Sequence, residues 1–441
     1  MGPLAPGSKP PRELQEERRL RRAGTIRPRH GRQRPNMKSL TLLALLLFAP
    51  QVSHHKDTDT VRLKDGSELV GRVVYEDDST LLMRVRKQHR EIAMSEVAEV
   101  STLERSQREL FGQLDVTSAE NAGALVDLAT FAASRGLPSE ARLVCAKAIF
   151  ADNDNAAAFR GLEGREHEQK GWQVKIGKRW RTLAEVQELH GKWRDHFEIE
   201  TTHFIVRSDM PAERVVDLAL DVERYYLAFY EVLGTRLRLQ TFDTVPIVSV
   251  YEEAGRMPKP PVASDAWFAE ARNELDVQAT EDVSRELIAR EMTRLMLTNS
   301  LRKTYNKAGD LSPWASRGVA NMLSSAVIIG KRPMTFDFAR VYPEWFQTQA
   351  STPTDLRRVL ALSEDEFWDA KSDANDAAAY TLVHFLVHGE GGKWFEGFRN
   401  FLESSYLGKG SATHFARALG LDGLETFEAS WNEYVRAKAN I

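Results

Sequence analysis

The sequence predicts a multidomain protein in which a small all-β module and a short α-helical segment precede an α+β region whose C-terminal part is mainly helical. Three observations carry this reading. Between residues 60 and 101 apolar and polar side chains alternate between turn signals, as short half-buried strands require. From Leu103 to about Arg165 the apolar period becomes that of helices. From His196 onward strand-like and helix-like stretches follow one another before several helices run to the C-terminus.

The 441 residues suffice for two or three domains, and 42% hydrophobic with 28% charged residues is the composition of a globular protein. The one cysteine, Cys145, lies in an alanine-rich helical run. A disulfide framework, a zinc ribbon and a paired-cysteine redox motif are thereby excluded, and Cys145 reads as a small buried apolar residue.

Residues 1–36 carry ten Lys/Arg against three Glu. A second methionine follows in "MKSLTLLALLLFAPQVSHH", with basic Lys38 and an apolar run from Leu40 to Phe48. That is the layout of a secretory signal peptide, over residues 37–53, and the run is too short for a stable membrane span. Translation is then expected to start at Met37, leaving 1–36 as an over-extended start; a basic nucleic-acid-binding arm is the competing reading. The small residues from Ala49 to Ser53 form no clean cleavage motif, and no cysteine follows to carry a lipid. Without residues 1–38 the chain has 49 Lys/Arg against 60 Asp/Glu, a net charge of −11. So acidic a chain is a poor partner for nucleic acid or an anionic membrane, and the expectation is an exported protein, periplasmic or extracellular, with no stable membrane span.

In the β module, residues 58–103, turns fall at Asp65-Gly66, at Glu76-Asp77-Asp78-Ser79 and near Gln88-His89. About five strands in some 40 residues predict a small SH3- or Sm-like barrel, an interaction or packing module by default. Residues 104–195 hold two amphipathic helices hinged at Gly136-Leu137-Pro138 and stopped at Asp152-Asn153-Asp154-Asn155. They look like one tetratricopeptide-type pair, and a single pair must lean on its neighbours to bury both faces. The connector "KGWQVKIGKRWRTLAEVQELHGKW" places Trp172, Trp180 and Trp193 among basic residues, where they pin it to the next domain rather than stack on a polymer.

Residues 196–441 begin with "FEIETTHFIVRSD", which alternates like a strand, and continue with an amphipathic helix and the strand "DTVPIVSVYE". "SDAWFAEARNELDVQAT" adds one or two strands before "LIAREMTRLML". That helix has the shape of His-Glu-x-x-His, where two imidazoles at i and i+4 share one helix face with a carboxylate that reaches a metal-bound water. Both histidine positions are arginine: Arg290-Glu291-Met292-Thr293-Arg294. A second helix follows as "LSPWASRGVANMLSS".

These two stretches, in this order, resemble the signatures of the peptidase MA-like, gluzincin-type domain of exported bacterial proteins, approximately His-Glu-x-x-His and Trp-x-x-Glu-Gly-x-Ala. The resemblance covers roughly residues 196–441 and extends to "ETTHFIVRS", "AAYTLVHFLVHGEGGKWFEGFRNFL" and "TFEASWNEYV". It implies a zinc metallopeptidase fold with ligand positions at Arg290, Arg294 and Arg317 and the general base at Glu291. Only Glu291 is of the family's type. A guanidinium has no free lone pair and repels zinc, so the resemblance implies the fold, argues against the activity and leaves no expected cofactor. The chain reads as a degenerate member acting as a pseudopeptidase in peptide or protein binding or scaffolding, with a strand edge around Leu275-Asp276-Val277 open to an extended peptide. The alternatives are a peptidase or hydrolase with a non-standard site using Glu291, and a purely structural envelope protein.

The three arginines have two readings. The first is a charge cluster paired with carboxylates such as Glu291 or Glu286, a common way to fill a polar cleft. The second is a pocket in which three guanidiniums converge on an anion. His384 and His388 form the remaining i, i+4 histidine pair and a low-ranking metal alternative: Leu382, Phe385 and Leu386 face a core beside them, and no third ligand is evident. His167 has Gly171 where a second histidine would stand. His54-His55 would lie near the mature N-terminus. No P-loop, dinucleotide fingerprint, calcium loop or Ser-His-Asp arrangement is present; Thr202 and His203, adjacent on an alternating strand, would face opposite sides.

Overall fold

The computed structural model describes residues 59–86, 88–260, 264–279, 285–328, 335–336, 341–367 and 372–440, with the backbone alone at 285–286, 327–328 and 335–336. The start, the signal segment, His54-His55 and the Glu286 side chain lie outside what is described. The architecture is multidomain, with an antiparallel sheet at the N-terminal side and a largely helical C-terminal part. Among the described residues no helix is long and apolar enough to cross a membrane.

The first sheet is built from β1 (Asp59–Leu63), β2 (Glu68–Glu76), β3 (Thr80–Val85), β4 (Gln88–Ala93) and β5 (Val97–Ser101) in the order β4-β3-β2-β1-β5. Gly66 takes the left-handed φ of +87° that the first turn requires, and Asp65 accepts the Ser67 N–H across it. Val61, Leu63, Val73, Leu81, Met83, Ile92 and Val100 form a core separate from the rest of the chain.

Thr102 caps α1 (Leu103–Val116), and α2 (Ala122–Ser134) and α3 (Pro138–Ala151) meet at the expected hinge, where Gly136 has φ +78° and Pro138 opens α3. Asn155 then caps α4 (Ala156–Gly161). The pair leans on its neighbours: Lys147 of α3 donates at 2.7 Å to Asp217, on the long helix Ala212–Phe229. The tryptophan stretch is more than a connector. It folds into β6 (Arg165–His167), β7 (Gly171–Ile176) and β8 (Arg179–Arg181), antiparallel neighbours turning at Gly171 and Gly177, followed by α5 (Leu183–Gln187). Trp172 stacks on Phe159 at 5.3 Å and Trp193 lies 3.9 Å from Tyr251, so both rings pin the segment to the body of the protein.

Two sequence expectations are corrected in the second sheet, which contains β9 (Phe197–Glu200), β10 (Ile205–Ser208), β11 (Ile247–Tyr251), β12 (Ala266–Ala269) and β13 (Glu274–Gln278) in the order β12-β13-β11-β10-β9. First, "FEIETTHFIVRSD" is a hairpin, not one strand. The Thr201 hydroxyl accepts the Phe204 N–H and closes a turn, so Thr202 and His203 sit in a bend to which face alternation does not apply. Second, Leu275, Asp276 and Val277 are not on an edge. β13 pairs in parallel with β11 on one side and antiparallel with β12 on the other, because the chain reverses through Asn273 at φ +51°. On that side of the sheet the edge strand is β12.

Between β10 and β11 runs α6 (Ala212–Phe229), which widens into a π turn at Tyr230–Gly234. The helical part contains α7 (Arg285–Tyr305), α8 (Pro313–Ser325), α9 (Pro343–Ser351), α10 (Leu356–Leu360), α11 (Ser372–His388), α12 (Phe395–Tyr406), α13 (Ala412–Ala418) and α14 (Glu425–Ala439). α8 lies between α7 and α11. Gly318 permits that close approach: a Cβ there would overlap the Ala379 carbonyl oxygen and the Val383 side chain. Trp314, fully buried, stacks on Phe401 at 5.5 Å and anchors the start of α8.

Candidate functional site

α7 is wrapped by protein along this stretch, with Met292, Leu295 and Met296 buried and Tyr225 of α6 donating to the Ala289 carbonyl at 2.7 Å. That packing fixes the helix rotation and turns Glu291 toward α8, α11 and β12. The four positions singled out by spacing come together there. Glu291 is fully buried; its Oε1 lies 3.4 Å from Arg290 Nε and 3.3 Å from Arg317 Nη1, and its Oε2 3.1 Å from Arg294 Nη1. The Phe268 N–H on β12 donates to Oε2 at 3.3 Å.

Each arginine also reaches a second carboxylate. Arg317 Nε is 3.3 Å from Asp376 Oδ1, Arg290 Nη1 is 3.9 Å from Asp376 Oδ2, and Arg294 Nη2 is 2.9 Å from Glu364 Oε1. Asn321 donates to Asp376 at 2.8 Å, and the guanidiniums of Arg294 and Arg317 lie 5.6 Å from the rings of Trp267 and Phe367 respectively. Three guanidiniums thus face three carboxylates, so the cluster is close to neutral.

Burial alone would raise the Glu291 carboxyl, but the charges of Arg294, Arg317 and Arg290 and the Phe268 N–H outweigh it and hold the group below the usual range. Burial lowers the Arg317 guanidinium to about 10 against the pull of Asp376, which leaves it cationic at neutral pH. Burial lowers the Arg294 guanidinium as well, but Glu291 and Glu364 outweigh it and raise the group. A carboxylate stabilised in its ionised form by this many donors is a weak base.

These residues do not fit zinc. The three positions nearest Glu291 bear cations without lone pairs, and the neighbouring carboxylates are engaged with those cations. Among the described residues no three His, Cys, Asp or Glu side chains are placed to hold a metal ion. His384 and His388 are neighbours, with ring centroids 4.7 Å apart, but His384 Nδ1 is 2.7 Å from the Tyr434 hydroxyl and burial lowers this imidazole to about 3. Glu390, the nearby carboxylate, binds Lys393 at 2.8 Å.

The supposed peptide edge differs from expectation in more than position. On β12 the Phe268 N–H is taken by Glu291, and the Ser264 hydroxyl donates to the Ala266 carbonyl at 2.7 Å. An edge strand whose polar groups are satisfied by its own chain is a poor template for strand addition.

A second buried ionic cluster had no motif to announce it. His203 Nδ1 is 2.6 Å from Glu223 Oε2 and its Nε2 is 3.9 Å from Glu104 Oε1. Gln107 bridges Glu140 and Glu223 at 2.7 and 3.1 Å, and the Thr202 hydroxyl donates to Glu140 at 2.6 Å. The signal was present as polar residues on core faces: Glu223 falls on the apolar stripe of Val216, Leu220 and Leu227, and Gln107 on that of Leu110, Phe111 and Leu114.

No protein-family model matches this chain, and no curated protein matches it.

Proposed function

We propose that the chain is a metallopeptidase-like pseudoenzyme, an exported protein with a gluzincin-type domain that has exchanged its zinc site for a salt-bridge network and works in peptide or protein binding or scaffolding. The observation that carries this reading is Glu291, the position of the general base, held by guanidiniums at all three ligand positions. Any helix brings 290 and 294 beside 291; what supports descent from a zinc site is that 317, from a second helix, reaches the same carboxylate. The five-stranded first sheet fits the SH3- or Sm-like module expected in front of such a domain.

Internal pairing of all three arginines speaks against an anion pocket at this point, and the self-satisfied edge of β12 speaks against peptide capture in the cleft. Both favour partners on the outer surfaces. They equally favour a second reading, a structural envelope protein in which the cluster only holds α7, α8 and α11 together.

Metal analysis of the purified full chain, combined with digestion of a mixed peptide library with and without chelator, tests the pseudoenzyme reading. The expected result is no stoichiometric metal and no chelator-sensitive cleavage. Stoichiometric zinc, or cleavage abolished by chelator, overturns it.

A further inference from the structure

One carboxyl of the second ionic cluster has no cation of its own. Glu140 on α3 is fully withdrawn from solvent, and the side chains that face it are Glu223, Thr202 and Gln107. Its two oxygens are treated differently. Oε1 accepts two hydrogen bonds, from Gln107 Nε2 at 2.7 Å and from the Thr202 hydroxyl at 2.6 Å, whereas Oε2 is buried and accepts none among the described residues. The other end of the same amide, Gln107 Oε1, is buried without a partner as well. An ionised carboxylate only accepts, so it leaves both atoms unsatisfied; a carboxylic acid has one oxygen that accepts and one that donates. A proton on Oε2 is the donor that both atoms lack.

The surrounding charges favour the same state. Asp59, Glu104, Glu140 and Glu223 gather around two cations, Arg72 and His203. Both cations are committed elsewhere: His203 binds Glu223 and faces Glu104, and Arg72 faces Glu104 and Asp59. Asp243, on the far side of Arg72, has Arg84 and Lys303 as partners, and the Tyr226 ring stacked on His203 is a neutral phenol. Burial and the charge of Glu223 accordingly raise the Glu140 carboxyl above its ordinary 4.5. Four elements meet at this carboxyl: α1 through Gln107, α3 through Glu140 itself, α6 through Glu223, and the β9–β10 turn through Thr202.

We propose that Glu140 carries a proton in the folded protein, directed to Gln107 Oε1, and that this proton latches α1 and α3 to α6 and the β9–β10 turn, so that its loss releases the helical segment. Once ionised, Glu140 faces the Glu223 carboxylate in a buried site without a cation, and the contact turns repulsive. A carboxyl raised in the folded state contributes in full below its ordinary 4.5, and that contribution is lost as pH rises through the raised value. The latch is therefore closed in acid and opens toward alkali. It lies apart from the Glu291 cluster and does not depend on the descent of that cluster.

Infrared spectra of the full chain in heavy water near pH 6 read the proton, because the carbonyl band of a carboxylic acid stands apart from those of carboxylates and peptide groups. The parent should show an acid carbonyl band that falls by one group in Glu140→Gln; other buried carboxyls such as Asp59 are common to both proteins and cancel. Hydrogen exchange of α1 and α3, corrected for the chemical rate, reads the latch. From about pH 6 to about pH 9 protection should fall about tenfold further in the parent than in Glu140→Gln, whose amide keeps its donor at every pH. Equal acid bands in the two proteins, or an equal fall in protection, overturns the proposal. Should Glu140→Gln fail to fold by circular dichroism, Thr202→Val decides alone: removing the hydroxyl from Oε1 should shift the acid band, and an unshifted band overturns the proposal.

Discussion

Arg317 Nη1 on α8 lies 3.3 Å from Glu291 Oε1 on α7, with both side chains withdrawn from solvent. A buried ion pair of this kind costs desolvation on both sides, and the surrounding hydrogen bonds must offset it. Here Arg294 and the Phe268 N–H supply hydrogen bonds to Glu291, and Arg290 and Asp376 add further ion pairs. The cluster is therefore a point at which single changes have large effects.

Glu291→Ala removes the shared acceptor and leaves three guanidiniums crowded together. The expected loss is about 3–5 kcal/mol of folding stability, the usual cost of breaking a buried pair from one side. Urea denaturation with the variant and the parent chain measures it. A loss within about 0.5 kcal/mol, the range of ordinary surface changes, would mean that the pairs contribute little.

Gly318→Ala should destabilise by about 1–3 kcal/mol, the range for overpacking a close contact. The added methyl has no room against the Ala379 carbonyl oxygen, and relieving the overlap moves α8 from α11 and Arg317 from Asp376. Thermal denaturation reads this, and an unchanged midpoint would show that the two helices are not so closely seated.

Stability should fall at both ends of the pH range. Glu291 is held below its ordinary 4.5, so its contribution is present above that value and is lost as pH falls through the lowered one. Burial lowers the His203 imidazolium, but Glu223 and Glu104 more than reverse this and raise it to about 9. Its contribution is complete below 6.5 and disappears as pH rises through about 9. Urea midpoints between pH 6 and 10 should decline in the parent chain and stay flatter in His203→Gln. Parallel curves for the two would remove His203 as the cause.

Local signals read well where one residue type forces one geometry. The Gly136-Leu137-Pro138 hinge is such a case, since Gly136 takes a left-handed φ and Pro138 opens a helix. The convergence of 290, 291 and 294 was legible because i, i+4 spacing places residues on one face. Asp376 and Glu364, which neutralise the arginines, come from later helical segments and left no trace in local pattern. The order of strands was equally invisible: β13 has the alternation of an edge strand, yet it becomes internal because β12 folds back onto it. The Thr201–Phe204 turn was hidden because a threonine hydroxyl makes it, without Gly or Pro.

The claim that the arginine cluster stands where a zinc site once did is tested most directly by restoring the ligands. The triple variant Arg290→His, Arg294→His and Arg317→Glu, purified and confirmed as folded by circular dichroism, should hold about one zinc per chain by metal analysis after dialysis. The parent chain should hold none. A folded triple variant that takes up no more zinc than the parent would contradict the account.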